Sequence, residues 1–231
     1  MHYVMSDIHG QYTAFLHMLD LIHFTSRDRL CVLGDAIDRG PDGIAVLQHI
    51  MRTPNITMIL GNHENMMLEA IVGEQGKSYS WFHNGFEPTI RAFDKLSNNE
   101  KHEILIYISR LKLQHTITAA ERKFTLVHGR PKLTAAEEKR LILRSKAGDY
   151  GRSEFDRRIW SEFVPDAIKR EGVTFVFGHR MTSRYQNARP LEIYFGDGCI
   201  GIDCGCARGG YPGRLGCLRL EDLQTFYAEL E

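Results

Sequence analysis

A chain of 231 residues with 29 basic and 29 acidic side chains carries no formal net charge, so no bulk field draws it to nucleic acid or to an anionic membrane. The length suits one sizeable α/β domain over residues 1–231 and demands no second one. No apolar run approaches the ~20 residues that span a bilayer, and a strand begins too early to leave room for a signal peptide, so a cytoplasmic location is the expectation.

The first part alternates strand and helix. Tyr3-Val4-Met5 reads as a buried strand, and Phe15, Leu16, Leu19 and Ile22 recur at helical spacing over 11–23. Leu30-Cys31-Val32-Leu33 is the next strand, and Pro41-Asp42 opens a helix with Ile44, Leu47, Ile50 and Met51 on one face. A strand over 56–60 leads to a helix over 65–72. This order predicts a parallel half-sheet with short loops. A helical insert at about 86–111 follows, in two segments (86–96 and 100–111), then a strand pair at 113–118 and 124–127. The stretch 133–163 is charged and helical in tone, and 173–177 is another buried strand. Gly196-Asp197-Gly198, between strands at 191–195 and 199–203, marks a hairpin; Glu221-Asp222-Leu223, between 215–220 and 224–230, marks a second. Alternating units followed by antiparallel strands predict two mixed sheets flanked by helices, a four-layer α/β/β/α sandwich.

Five cysteines fit no disulfide scaffold. Cys31 lies inside an apolar strand. Cys199, Cys204, Cys206 and Cys217 crowd the C-terminal part, but Cys-x-Cys is not a structural-zinc spacing and no second pair flanks it, so packing or loop thiols are expected.

Polar clusters stand at the ends of the apolar strands: Asp7-Ile8-His9-Gly10, Gly34-Asp35-Ala36-Ile37-Asp38-Arg39-Gly40, Gly61-Asn62-His63-Glu64, Val127-His128-Gly129 and Phe177-Gly178-His179. Ligands gather at the carboxyl ends of such strands. Asp, His and Asn are hard or borderline donors suited to Mn, Fe, Zn or Mg, and together they suggest a two-metal hydrolytic site. Each cluster also has a plainer reading. Asp7 could cap a helix, and Asp38-Arg39-Gly40-Pro41 could be a polar turn before one. The turn explains Gly and Pro but not the pairing with Gly-Asn-His-Glu. His63 follows Asn62 and so points elsewhere, which suits a general acid oriented by Asp38. Arg39 offers a fork matched to phosphate oxygens. Glu64 reads as a supporting acid at a helix start.

In this order and at these spacings the motifs resemble the phosphoprotein phosphatase branch of the calcineurin-like metallophosphoesterases, the bacterial and bacteriophage members most of all. The resemblance runs from Asp7 to Ile202-Asp203 and Gly213-Arg214-Leu215. It implies the metallophosphoesterase sandwich and two divalent ions, Mn foremost, with Fe, Zn or Mg as alternatives. Asp7 and His9 would hold the first ion, Asp35 would bridge, and Asn62, His128 and His179 would join Asp35 at the second. The implied reaction is hydrolysis of phosphoserine, phosphothreonine or phosphotyrosine in a protein, or of a small phosphate ester, by a metal-bridging hydroxide.

Two departures stand out. Bacterial relatives often carry Arg after a Trp-Ser pair, whereas Glu162 follows Trp160-Ser161 here; Arg180 follows Gly178-His179 where Thr is frequent. Arg180, or else Arg158 or Arg184, could supply the missing charge. Trp81-Phe82-His83-Asn84-Gly85 resembles a loop that overhangs the site in bacterial relatives, or is an ordinary capped turn. A sister branch that hydrolyses diadenosine tetraphosphate symmetrically is the second reading. It commonly lacks the Asp equivalent to Asp38 and favours Gly-Asn-His-Asp, so Asp38 and Glu64 tilt toward the phosphatase. A non-catalytic scaffold of the same fold is the third reading, and it would have lost ligands or the acid.

Overall fold

The computed structural model describes residues 1–73, 79–144, 153–187, 190–207 and 213–230; part of the charged 133–163 stretch, 145–152, lies outside them. The expected alternation is present as β1 (His2–Met5), α1 (Tyr12–Leu21), β2 (Arg29–Val32), α2 (Gly43–Arg52), β3 (Ile56–Met58) and α3 (Asn62–Val72). Helices α4 (Tyr79–Phe82), α5 (Glu87–Asp94) and α6 (Asn98–Ser109) follow, then the β4 (Gln114–Ala119) and β5 (Arg122–Val127) pair. After α7 (Ala135–Arg144) and α8 (Glu154–Trp160) come β6 (Val173–Phe177), the hairpin β7 (Tyr194–Gly196) and β8 (Cys199–Gly201), and the hairpin β9 (Arg214–Arg219) and β10 (Thr225–Glu229). Among the described residues no helix is long and apolar enough to cross a membrane.

The strands form two five-stranded mixed sheets, in the orders β10-β9-β1-β2-β3 and β4-β5-β6-β8-β7. β1, β2 and β3 are parallel, as are β5, β6 and β8. The pleat sends alternate side chains to opposite faces. Tyr3 and Met5 therefore join the helix-side core with Phe15, Met18, Leu47 and Ile104. Val4 instead joins Cys31, Leu33, Phe124, Leu126 and Val176 between the sheets. On the far face of the second sheet, Val127, Phe175 and Phe177 pack against Phe163, Ala167 and Ile168. Three cores separate four layers, and the α/β/β/α sandwich is the fold. The five buried thiols divide over all three cores.

Three elements differ from the sequence expectation for identifiable reasons. α3 starts at Asn62 rather than at 65, after an extended Gly61, so Asn62, His63 and Glu64 sit on its first turn. α6 starts two residues early because Ser97 and Glu100 form a reciprocal capping box. The strand expected over 191–195 is reduced to Tyr194–Gly196: the Leu191 carbonyl accepts from Arg214 Nε (3.0 Å) and the Ile193 N–H donates to the Tyr227 hydroxyl (3.1 Å), which takes those groups out of the ladder.

Candidate active site at the strand ends

The carboxyl ends of β1, β2 and β3 in one sheet and of β5 and β6 in the other open onto the same edge, and every sequence-predicted ligand is there. The backbone is strained at this edge. Ten described residues other than glycine have positive φ, and six of them are candidate site residues: Asp7 (53°), His9 (47°), Asp35 (54°), Asp38 (68°), Arg39 (67°) and His179 (67°). Such conformations cost about 1–3 kcal/mol each and persist where surrounding bonds overdetermine them. Those bonds are present: Asp7 N donates to Gly34 O (3.2 Å), His9 N to Asp35 O (2.9 Å), Gly10 N to Ala36 O (2.8 Å) and Arg39 N to Gly85 O (2.7 Å). Gly61 is required by close approach, since a Cβ there would collide with the Asp35 carboxylate.

Asp35 is the centre. Its Oδ2 lies 3.7 Å from His9 Nε2, and its Oδ1 lies 3.5 Å from His128 Nε2. His9 Nε2 is also 4.0 Å from Asp7 Oδ1. On the other side Asn62 Oδ1 lies 2.9 Å from both His128 Nε2 and His179 Nδ1. The far nitrogen of each ring donates to a carbonyl: His9 Nδ1 to Ile37 O (3.0 Å), His128 Nδ1 to Leu33 O (2.7 Å) and His179 Nε2 to Trp160 O (3.0 Å). Each far nitrogen is thereby committed to a carbonyl, and the near nitrogen of each ring turns inward. Burial first, then His128, pushes His179 down to about 3, and burial with His63 and Arg39 holds His9 well below its usual range. Lone pairs of neutral rings converging on amide and carboxylate oxygens fit divalent cations. Two groups of potential ligands share Asp35, one with His9 and His63, the other with His128 and His179.

The surrounding carboxyls tell the same story. Burial pushes Asp7 up, and Asp35 adds to it; burial and then Asp7 push Asp203 well up. Glu64, fully buried, is pushed up to about 8 by burial and by Asp35. Burial also works to raise Asp35, but His128, His63, His9 and His179 outweigh it and hold its carboxyl low. Glu64 accepts the amides of Asp35 (2.9 Å), Ala36 (2.8 Å) and Ile37 (3.3 Å), bracing the loop that bears Asp35.

Next to Asp35 stands a second arrangement. His63 Nδ1 donates to Asp38 Oδ2 at 2.6 Å, and both side chains are buried. Trp81 Nε1 donates to the same oxygen at 2.8 Å, and the Asp38 amide donates to Thr89 Oγ1 at 2.9 Å. His63 does not point away from the ligands as its place after Asn62 suggested. On the first helical turn its Nε2 faces inward, 3.9 Å from Asp35 Oδ2. The exposed Arg39 donates through Nη1 to His9 Nε2 (2.8 Å) and through Nη2 to His63 Nε2 (3.1 Å).

Arg39, His9, His179, Arg180, Arg184 and Asp203 line an open cleft of about 520 Å³. Arg180 therefore faces the site. Arg184 also lines it but lies 3.7 Å from Glu162, and Arg158 turns away to Gln114 Oε1 (2.7 Å). Sequence reasoning missed Thr89, Ser6, whose hydroxyl bonds the Asp7 carboxylate, and Asp203 as a cleft wall. Trp81 was singled out only as part of an overhanging loop.

The chain is similar over most of its length to proteins with different substrates in their names. A symmetrical bis(5'-nucleosyl)-tetraphosphatase of Nitrosomonas europaea is 24% identical, covering 97% of this chain and 96% of its own. Serine/threonine-protein phosphatase 2 of Salmonella typhimurium is 26% identical, covering 85% and 86%. Among solved structures, one named as a diadenosine tetraphosphatase superposes with a TM-score of 0.66 at 20% identity, covering 99% of this chain and 92% of that one. The family model of the calcineurin-like phosphoesterases matches residues 3–210, and the chain belongs to that family.

Proposed function

We propose that this chain is a dinuclear metal-dependent phosphomonoesterase acting on phosphoserine and phosphothreonine, and on phosphotyrosine, in proteins. The buried Asp38–His63 pair carries this reading. A serine or threonine alkoxide leaves poorly and needs a proton, which an imidazole held by a carboxylate can supply. Cleaving a polyphosphate chain expels a nucleotide phosphate, which needs that help far less. The full set of ligands and the acid argue against a non-catalytic scaffold.

Asp7, His9 and Asp35 would hold one ion; Asp35, Asn62, His128 and His179 would hold the other. Manganese is the proposed metal, ahead of Fe, Zn or Mg, and such a pair would supply Lewis-acid charge and a water of lowered pKa. The Arg39 guanidinium, now on His9 and His63, would move to the phosphate oxygens, freeing His63 Nε2 to carry a proton to the leaving oxygen. Asp38 keeps Nδ1–H in place for that transfer. Arg180, which lines the same cleft, is the proposed second phosphate contact.

A second reading, symmetrical hydrolysis of diadenosine tetraphosphate, is favoured by the Nitrosomonas europaea relative, which matches 97% of the chain. Turnover of a phosphoserine peptide and of diadenosine tetraphosphate, measured side by side with bound metal counted, separates the two. A higher kcat/KM on the peptide is expected. A higher value on the dinucleotide, with ADP as its product, would overturn the phosphatase reading.

A further inference from the structure

Arg39 lines a second concavity besides the cleft over the histidines. A groove of about 600 Å³ runs from it between α2 and α5. Its floor is apolar, with Ile44 on one side and Leu96 on the other, and Arg91 and Lys95 stand on its α5 side. Arg91 lies in the last turn of α5 and Lys95 at its C-cap, so the two cations are four residues and roughly 6 Å apart along the axis. Both are exposed, and among the described residues neither ends in an ion pair. The groove thus carries Arg39, Arg91 and Lys95 against one acid, Asp42.

Resting on the phosphoprotein phosphatase reading above, we propose that this groove binds the polypeptide beside the phosphorylated residue and selects acidic side chains there. Charge complementarity favours an acidic segment over a basic one. Continuity through Arg39 places the segment's start at the phosphate. The walls favour peptide over a nucleobase, since no aromatic ring lines the groove among the described residues and a base would call for stacking. Exposed ion pairs are individually weak, so the groove tunes choice among phosphoproteins and takes no part in bond cleavage.

The test compares a phosphoserine peptide flanked by glutamates with its glutamine counterpart, in wild type and in R91E/K95E, with p-nitrophenyl phosphate turnover as the check on fold and metal. Wild type should favour the glutamate peptide by about three- to tenfold in kcat/KM, the product of two weak pairs. The double variant should show no preference or favour glutamine. Because each ratio is taken within one protein, a general loss of activity leaves it readable. Equal preference in the two proteins overturns the groove assignment. Slower diadenosine tetraphosphate turnover in the variant, with the peptide preference intact, would also overturn it and make the groove a polyphosphate site. Turnover of aryl phosphate with none of either peptide removes the phosphatase reading, and the groove assignment with it.

Discussion

An alkoxide leaves far less readily than a nitrophenolate, and that difference isolates the proposed work of His63. General acid catalysis is worth roughly 10²–10⁴-fold where the proton matters. His63→Asn should therefore cripple phosphoserine peptide hydrolysis, spare most p-nitrophenyl phosphate turnover and leave metal content unchanged. Asp38→Asn should give the same pattern more weakly, because it removes the negative charge 2.6 Å from His63 Nδ1 and leaves the imidazole. Equal losses on both substrates, with metals bound, would reduce His63 to a positioning group. On the proposed mechanism Arg39 would act on the phosphoryl group itself, so its loss should be felt on every substrate. Arg39→Ala should raise KM, lower kcat and cut kcat/KM by roughly 10²-fold, the scale of losing one donor to developing charge. A change below about threefold would leave Arg39 with only its present contacts to the two histidines.

Each strand delivers its candidate ligands by stopping: β1 ends at Met5 and Asp7 turns out of it, and β2 ends at Val32 just before Asp35. That much was legible, since apolar runs interrupted by Asp, His and Gly expose both strand and turn in one local pattern. The inward face of His63 was not, because it depends on where α3 starts, and Gly61 and the Glu64 brace move that start back to Asn62. Nor was the bond from Trp81 to Asp38 legible, since it joins segments 43 residues apart with no periodicity to announce it. Helix α4 and the turn after it clasp the Asp38-Arg39 corner twice, through Trp81 Nε1 and through the Gly85 carbonyl. Trp81→Phe keeps the ring in its buried slot and deletes only the donor. It should slow phosphoserine peptide turnover by roughly tenfold, as expected for a hydrogen bond to a charged group, and slow aryl phosphate turnover less. If it slowed both equally, the Trp81 bond would serve packing and not the acid.

The two sheets meet face to face through an apolar core, yet the candidate ligands come from both: Asp7, His9, Asp35 and Asn62 follow strands of the first sheet, His128 and His179 follow strands of the second. Cations bound among them would tie the sheets together at one edge, where the buried carboxyls of Asp7, Glu64 and Asp203 each feel the charge of Asp35. A ligand that binds only the folded chain stabilises it by about 2.7 kcal/mol at a hundredfold excess over Kd. In a chain this long each kcal/mol moves Tm by roughly 2–4 °C. Chelation should thus lower Tm by about 5–10 °C, and Mn should restore it. His128→Ala removes a ligand from the second sheet alone, so it should shrink the Mn-dependent rise to half or less while the protein stays folded. Asp35→Asn should abolish the rise, because its carboxylate faces both ligand groups. A full Mn-dependent rise in Asp35→Asn would show that the ions lie elsewhere, and an undiminished rise in His128→Ala would confine them to the first sheet.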